Sequence, residues 1–351
     1  DMIGDERSAE ALNLFVRTRD LEPMLRLEAV DALGRLRSMA AIEVFTELLS
    51  HPWPPMRASA LMGLAQAEPE SLLFVLSGLG SDPDWRVRAA LAQALEHADP
   101  DAARFRLALM LNDEDQRVLP HVLASLVAVR APDVSVVLQE QLRSTDIVVR
   151  KTAARLLGEL RPDGAASALA EAYRTALLDA SYLARAATLE ALASYGGPVA
   201  LETLRVALED PDWATRVLAA ERLGELEKGV DHESLIRPAS GGRRVDYAAE
   251  HLVRPTVSPH VYIDTVHGTI EIELAVIDAP LTSDNFMTLA RQGFYDGLTF
   301  HRVVPNYVVQ GGDPRNDGEG GPGYTLRDEL NELPYLRGTV GMALDWNDTG
   351  G

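Results

Sequence analysis

FHRVVPNYVVQGGDP, residues 300–314, is the stretch from which the fold of the C-terminal part of the chain can be inferred. Arg302 stands among aromatic and β-branched residues, and Gln310 follows eight positions later. Because eight is an even number, both side chains leave the same face of a continuous strand. Pro305 predicts at least one bend in that strand. Two hydrogen-bonding side chains that converge in an apolar setting are typical of a small-ligand or peptide site.

Further motifs surround this stretch in a fixed order from residue 261 to the end of the chain. They are VYIDTVHGTIEIEL (261–274), APLTSDNFMTLARQG (279–293), GEGGPGYTLRDE (318–329) and RGTVGMALDWNDTGG (337–351). Together with 300–314 they resemble the cyclophilin-type peptidyl-prolyl isomerases. The resemblance implies a mainly-β barrel, of which this chain holds the first half.

The chemistry that the resemblance implies is the rotation of the peptide bond before proline. Its barrier arises from amide resonance, and uncatalysed isomerisation takes tens to hundreds of seconds. A donor that hydrogen-bonds the prolyl nitrogen withdraws its lone pair from resonance, and arginine suits this role because it is always charged and planar. By resemblance, Arg302 is that donor and Gln310 orients the substrate backbone, with no cofactor or metal. The resemblance places five more residues at the substrate: Phe300, Tyr307, Val308, Ala343 and Leu344.

Several positions depart from the commonest family pattern. Tyr307 stands where phenylalanine is usual, Val308 where methionine is common, and Leu344 where an asparagine presents its main chain to substrate. Val308 and Leu344 favour an alternative function, a non-catalytic scaffold that recognises proline-containing segments. A third hypothesis, a lyase-type chaperone for a pigment or cofactor, lacks a nucleophile or ligand site in this sequence.

Other residues near the motif have structural interpretations. An isolated strand arginine is usually a solvent-facing charge or half of a salt bridge, so the catalytic interpretation of Arg302 depends on the motif around it. His301 falls on the opposite strand face and is interpreted as structural. Phe300 is either a core residue or a pocket wall. The glycine loop at 318–323 lacks the GK[ST] ending of a phosphate-binding loop and is expected to be a turn with positive φ at its glycines.

Both ends of the chain lead to expectations about what it lacks. It starts at Asp1, so we expect the N-terminus to be missing. It stops at Gly351, where the family continues with the second half of its barrel. Because half a barrel exposes strand edges and apolar faces, we expect this chain alone to be inactive or poorly folded at its C-terminal end.

The N-terminal two-thirds shows an internal repeat that is marked by arginine. Successive arginines are separated by 31, 31, 62, 35 and 31 residues, and Leu119 stands at the position skipped by the longest step. They are Arg26, Arg57, Arg88, Arg150, Arg185 and Arg216. Apolar stripes on two helices per period resemble the short HEAT-type repeats of bacterial proteins, and they predict an all-α solenoid of seven units with a curved surface for a protein partner. The arginine is expected to bond helix ends in adjacent repeats.

Two turns of this array are near copies, SDPDWRVR at 81–88 and EDPDWATR at 209–216. We expect Asp82 and Asp210 to be the helix N-caps, each followed by proline at the first helical position. The tryptophan of each copy is expected to pack against the neighbouring unit.

The chain therefore divides into three parts. Residues 1–227 are predicted to form the HEAT-type domain, 228–259 a linker with a short helix around 245–253, and 260–351 the truncated isomerase domain. The predicted function is a peptidyl-prolyl cis–trans isomerase that assists protein folding. Its partners are proline-containing polypeptide clients, together with a protein on the repeat surface.

The composition argues against several other classes of function. A net charge of −20 argues against nucleic-acid binding and against attachment to anionic membranes. The uncharged runs are far shorter than the roughly 20 residues of a membrane span. The chain has 0 cysteines, which excludes disulfides and thiol catalysis. The compartment stays open, with a lean to the bacterial periplasm or cell envelope.

Overall fold

The computed structural model of the protein contains two compact units, Asp1–Ala168 and Leu169–Gly351. The predicted helix at 245–253 and most of the predicted linker lie outside the described residues. The residues that the structure describes are 6–18, 20–77, 80–237, 252 and 257–350.

Helices make up the first unit, with two helices in each repeat period of the sequence. The second helices of successive pairs pack on one another in series, α2 on α4, α4 on α6, α6 on α8 and α8 on α10. The helices are α1 (Glu6–Val16), α2 (Pro23–Arg35), α3 (Ile42–Leu48), α4 (Pro54–Ala67), α5 (Pro69–Ser77), α6 (Trp85–Ala94), α7 (Pro100–Met110), α8 (Leu119–Ala128), α9 (Val134–Gln141) and α10 (Ile147–Leu160).

A close approach of helices organises the core of this unit. Leu33, Phe45 and Leu64 are fully buried. A Cβ atom at Gly63 would lie 2.5 Å from the ring of Phe45, so a glycine is needed where α4 meets that ring. A Cβ at Gly34 would lie 3.0 Å from the Cα of Gly63, which lets α2 and α4 pack closely.

Arg57, Arg88 and Arg185 connect successive loops, which is the role that the sequence predicted for the recurrent arginine. The Nη1 group of Arg57 donates to two carbonyl groups in the loop before its own helix, at 2.9 and 3.2 Å. Its Nε and Nη2 groups donate to the carboxylate of Asp82, both at 2.8 Å, in the loop before the next second helix. Arg88 repeats this arrangement with the carboxylate of Asp113 at 2.8 and 2.9 Å. Each arginine thereby ties its repeat to the next.

Helices of the same kind continue along the chain, and the first of them spans the boundary between the two units. They are α11 (Ala165–Ala176), α12 (Leu183–Tyr195), α13 (Gly197–Ala207) and α14 (Trp213–Leu226). Tyr173, Leu189 and Leu223 are fully buried in their core. A short 3-10 turn at Glu233–Leu235 follows α14.

The predicted helix caps were wrong by two residues. Helices α6 and α14 begin at the tryptophan, and their N-caps are Asp84 and Asp212, which accept backbone N–H groups at 2.9 and 3.1 Å. The carboxylates of Asp82 and Asp210 instead bind the recurrent arginines of the preceding repeats. Both aspartates of the DPD motif satisfy the sequence rule for a cap, and the tertiary contact with arginine decides between them.

Strands occur in the C-terminal region, which we define as residues 257–350. Strand β1 (His260–Thr265) pairs antiparallel with β2 (Gly268–Glu273), and β3 (Arg302–Val304) pairs antiparallel with β4 (Val308–Gln310). Helix α15 (Pro280–Arg291) lies between these hairpins in the chain. The predicted fold class, a helical repeat region followed by a strand-containing region, is confirmed.

The apolar core of the C-terminal region is small. Among its described residues, the buried hydrophobic side chains are Leu274, Val276 and Leu289. Buried polar side chains are as prominent there, and they include Asp313 and Asn285. None of the helices in the described ranges is long and apolar enough to cross a lipid bilayer.

Candidate functional site

The hairpin of β3 and β4 brings Arg302 and Gln310 together. They are direct partners in the antiparallel register, and Arg302 Nη1 donates to Gln310 Oε1 at 3.2 Å. The chain does not run through as one strand, because it reverses after Val304 with Asn306 at a φ of 59°. The two side chains therefore share a face as cross-strand partners, rather than through even spacing along one strand.

Arg302 is exposed, and only some of the N–H donors of its guanidinium are hydrogen-bonded. Among the residues that the structure describes, Gln310 is its one hydrogen-bond partner. A guanidinium carries five N–H donors in a rigid plane. The hairpin thus holds one edge of the group and leaves other donors facing solvent.

The remaining predicted residues of the hairpin lie at its rim. The ring of Phe300 is 42% exposed, and a Cβ atom at Gly311 would lie 2.8 Å from it. Tyr307 is 81% exposed at the turn. Val308 pairs with Val304 across the hairpin. Phe300 is therefore a surface ring that covers the start of the next loop, and its role toward substrate stays a prediction.

Ala343 and Leu344 belong to a stretch further along the chain. Both are exposed, and the Leu344 side chain would lie 3.1 Å from a Cβ atom at Gly350. Thr349 Oγ1 accepts the backbone N–H groups of Asp345 and Trp346, both at 3.0 Å, which gives the stretch a defined turn. Their contact with substrate stays a prediction.

His301 precedes β3 and is partly buried. Both of its ring nitrogens are buried and have no hydrogen-bond partner within the described ranges. Alternation along the strand points the side chain away from the face that carries Arg302. Its interpretation as a structural residue stays a prediction.

A buried carboxylate that the sequence analysis missed shapes the loop after the hairpin. Asp313 is 5% exposed, and its carboxylate accepts the backbone N–H groups of Arg315, Asp317 and Gly318 at 2.6, 2.9 and 2.6 Å. The prediction of positive φ at the glycines of this loop holds for Gly318 at 89° and Gly323 at 87°, but not for Gly320 and Gly321. The run of glycine, aspartate and asparagine at this point is the signal that could have identified Asp313 as an anchor.

A second missed carboxylate caps helix α15 from a distance. The carboxylate of Glu329 accepts the N–H groups of Leu281 and Thr282 at 2.8 and 2.7 Å. These N–H groups belong to the first turn, where a helix has no intrahelical acceptors for them. Close by, the hydroxyl of Tyr324 donates to Asn285 Oδ1 at 2.5 Å. The stretch after the glycine loop is thereby fastened to α15.

Contacts between the last helices of the repeats and the C-terminal region were also missed. The hydroxyl of Tyr182 donates to Asp345 Oδ2 at 2.9 Å, and its ring meets that of Trp346 edge-on at 5.1 Å. Burial, together with the negative charge of Asp345, raises the pKa of Tyr182 and keeps it a donor. Trp213 Nε1 donates to Asp348 Oδ2 at 3.0 Å. The residues of these pairs lie 163 and 135 positions apart, and no sequence pattern predicts contacts at such separations.

Comparison with known families agrees with the two-part architecture. Residues 11–96 match the family model of HEAT repeats. Residues 260–351 match that of "Cyclophilin type peptidyl-prolyl cis-trans isomerase/CLD". The chain joins HEAT-type repeats to a cyclophilin-type segment. The resemblance predicted from the sequence is confirmed for both parts.

Curated relatives match the cyclophilin-type segment. A peptidyl-prolyl cis-trans isomerase of Synechococcus elongatus is 49% identical over 89 residues, which cover 25% of this chain and 61% of the relative. Peptidyl-prolyl cis-trans isomerase B of Bacillus subtilis is 52% identical over 84 residues, covering 23% and 59%. The chain thus spans about three-fifths of the length of these relatives.

A solved structure shares a distant likeness with the chain. The complex of a phycocyanin lyase from Nostoc sp. aligns with a TM-score of 0.36 and 18% identity, covering 64% of this chain and 84% of that chain. A likeness at this level carries no argument about function.

Proposed function

We propose that the protein is a peptidyl-prolyl cis–trans isomerase that acts on X–Pro bonds in polypeptides. The observation that carries this proposal is the pairing of the exposed Arg302 with Gln310 across a hairpin of the cyclophilin-type segment. The relatives named as isomerases support it over the same segment.

The proposed mechanism needs one donor and one orienting group. As the amide twists, its nitrogen lone pair leaves resonance and becomes a hydrogen-bond acceptor. A free N–H group of Arg302 donates to it, and each 1.36 kcal/mol of barrier removed gives a rate gain of roughly tenfold. Gln310 holds the guanidinium through Oε1, and its own amide N–H groups remain to donate to a carbonyl group of the substrate backbone.

Exchange NMR on a series of Ala-Pro peptides tests this proposal. Full-length protein is compared with Arg302→Ala and Arg302→Lys variants. We expect catalysed exchange to fall about a hundredfold in Arg302→Ala, the order seen when a transition-state donor is removed. Arg302→Lys keeps the charge but loses the planar fork, and we expect an intermediate rate.

A matched control comes from the same region. Arg291 is an exposed arginine in the last turn of α15, and Arg291→Ala should leave the exchange rate unchanged. Equal rates for the wild-type protein and Arg302→Ala would overturn the mechanism. Peptide binding without faster exchange would instead support the non-catalytic scaffold, which the departures at Val308 and Leu344 favour.

We further propose that the repeats bind the polypeptide client. Two exposed apolar residues support this, because Phe105 on α7 and Val136 on α9 lie 31 positions apart, one repeat period. Their side chains are 70% and 54% exposed, so successive repeats present an apolar position at the same place. A Phe105→Ser/Val136→Ser double variant should bind an unfolded, proline-containing polypeptide at least tenfold more weakly. Leu178→Ser, at a residue that is 91% exposed, is the control.

A further inference from the structure

The two copies of the DPDW turn show how a repeat covers its partly buried tryptophan. In the first copy, the guanidinium of Arg117 stacks over the ring of Trp85, 4.5 Å from its centroid. Arg117 lies in the turn before α8, and Asp115 holds it through an ion pair of 2.7 Å. The following repeat therefore supplies the cation that covers the tryptophan.

In the second copy, the cyclophilin-type segment supplies that cation. The guanidinium of Arg327 stacks over the ring of Trp213, 4.0 Å from its centroid. The hydroxyl of Thr325 donates to Asp212 Oδ2 at 2.6 Å, while Oδ1 of the same carboxylate caps α14. Residues 325–327 thus occupy the place that the next repeat occupies in the first copy.

One aspartate joins this stretch to the end of the described chain. Asp348 Oδ1 accepts the backbone N–H of Asp328 at 2.8 Å, and Asp348 Oδ2 accepts Trp213 Nε1. A backbone bridge between Leu326 and Gly350 runs beside it. Residues 325–328 and 345–350, the second of which directly follows Ala343 and Leu344, are therefore fastened at the same point of the repeats.

We propose that Tyr182, Asp212 and Trp213 form a positioning socket for the cyclophilin-type segment. The socket holds residues 325–328 and 345–349. By doing so it fixes the backbone of Ala343 and Leu344, the stretch that the family resemblance assigns to the substrate backbone. The three socket residues act through this stretch and do not touch the substrate. The structural half of this inference, that the socket holds residues 325–328 and 345–349, does not depend on any activity. The kinetic half, that the socket positions residues 343–344 for substrate, rests on the proposed isomerase function.

The similarity of the two turns provides a matched pair of variants. Trp213→Leu removes both the stacked ring and the hydrogen bond to Asp348. Trp85→Leu removes the equivalent stacked ring in the first unit, where the partner is Arg117. Both variants lose one partly buried tryptophan after the same DPD sequence, so the loss of local packing is comparable.

Amide hydrogen exchange tests the structural half in the full-length protein. In Trp213→Leu we expect the amides of residues 323–350 to exchange at least tenfold faster, while those of 302–310 keep their rates. In Trp85→Leu we expect both groups of amides to keep the wild-type rates. Faster exchange within 213–226 would show that α14 itself has loosened. In that case Arg327→Gln is the deciding variant, because it removes the cation that stacks on Trp213 and leaves α14 unchanged. Unchanged exchange of 323–350 in both Trp213→Leu and Arg327→Gln overturns the socket.

The kinetics of isomerisation test the positioning role. We expect Trp213→Leu to raise KM for an Ala-Pro peptide at least fivefold and to leave kcat within twofold, because Arg302 is untouched. Faster exchange of 323–350 with an unchanged KM overturns the positioning role and leaves a structural contact. If the wild-type protein does not catalyse isomerisation, the proposed function fails. The socket is then still decided by hydrogen exchange.

Discussion

The same arginine–aspartate connection occurs at two depths in this protein. Arg57 and Asp82 of the first unit meet at 2.8 Å, with side chains that are 12% and 20% exposed. Arg185 and Asp210 of the second unit meet at 3.0 Å, with side chains that are 2% and 0% exposed. In both, the aspartate follows the arginine by 25 positions. A shared spacing therefore places the pair but does not set its surroundings.

The difference in burial reverses the direction in which the pKa of the aspartate is shifted. Burial raises the pKa of Asp210, ahead of the opposing effect of the Arg185 guanidinium and of the hydroxyl of Tyr173 at 2.8 Å. At Asp82, burial also acts upward, but the hydrogen bonds and charge of Arg57 outweigh it and the pKa is lowered. The same contact is therefore a partly solvated ion pair that stabilises the first unit, and a buried ion pair that needs both of its partners in the second.

The largest effect is expected when the buried pair is broken. Arg185→Met leaves Asp210 buried without its countercharge and frees three backbone carbonyls that Arg185 Nη1 now satisfies. We expect a loss of about 3–5 kcal/mol in the free energy of unfolding. Urea denaturation of the variant beside the wild-type protein measures it.

A double variant separates the charge from the packing. Arg185→Met combined with Asp210→Leu removes both charges, and it should recover part of the loss because no uncompensated charge remains. A double variant that is less stable than Arg185→Met alone would contradict the interpretation of Asp210 as an isolated charge.

The less deeply buried pair, Arg57 and Asp82, should respond less. Arg57→Met removes the same fork of hydrogen bonds, but water reaches Asp82 in its place. We expect a loss of about 1–3 kcal/mol, between the values for surface and buried pairs. A loss in Arg57→Met that equals or exceeds the loss in Arg185→Met, measured by the same denaturation, would break the comparison.

A smaller effect is expected at the helix caps beside these pairs. Asp84→Ala removes the side chain that accepts the N–H of Arg86 at the start of α6, and it should cost about 1 kcal/mol. Asp212→Ala should cost more, because Asp212 also accepts the hydroxyl of Thr325. Equal losses from the two substitutions, as measured by thermal unfolding, would show that the Thr325 contact contributes nothing.

The cap error shows where sequence reasoning ends in the repeats. The helix pairs and the linking role of the arginine followed from periodicity, because local pattern and packing agree there. The sequence also contained the spacing from Arg57 to Asp82, and the same spacing from Arg88 and Arg185. This spacing does not recur in every repeat, because the residue 25 positions after Arg150 is Thr175 and the residue 25 positions after Arg26 is His51.

In the C-terminal region, different features could and could not be predicted from the sequence. The convergence of Arg302 and Gln310 could be predicted, although the reversal at Asn306 brings it about by another route. The contacts of Trp213 and Tyr182 with residues beyond 340 could not, because they join parts of the chain that share no period. Only the three-dimensional packing places them together.

The smallest effect, and the sharpest test of the comparison, is expected from pH, because it changes only one proton at each aspartate. Asp82 has a lowered pKa, so its stabilising contribution is present at neutral pH and is lost as pH falls through that lowered value. Asp210 has a raised pKa, so its charge is costly at neutral pH, and the cost fades as pH falls through the raised value. The wild-type advantage over Asp82→Asn should therefore shrink on acidification, whereas the wild-type protein should gain relative to Asp210→Asn. Urea midpoints at about pH 7 and about pH 2.5, well below the ordinary aspartate pKa of about 3.9, measure both differences, and movement in the same direction would contradict the assigned depths.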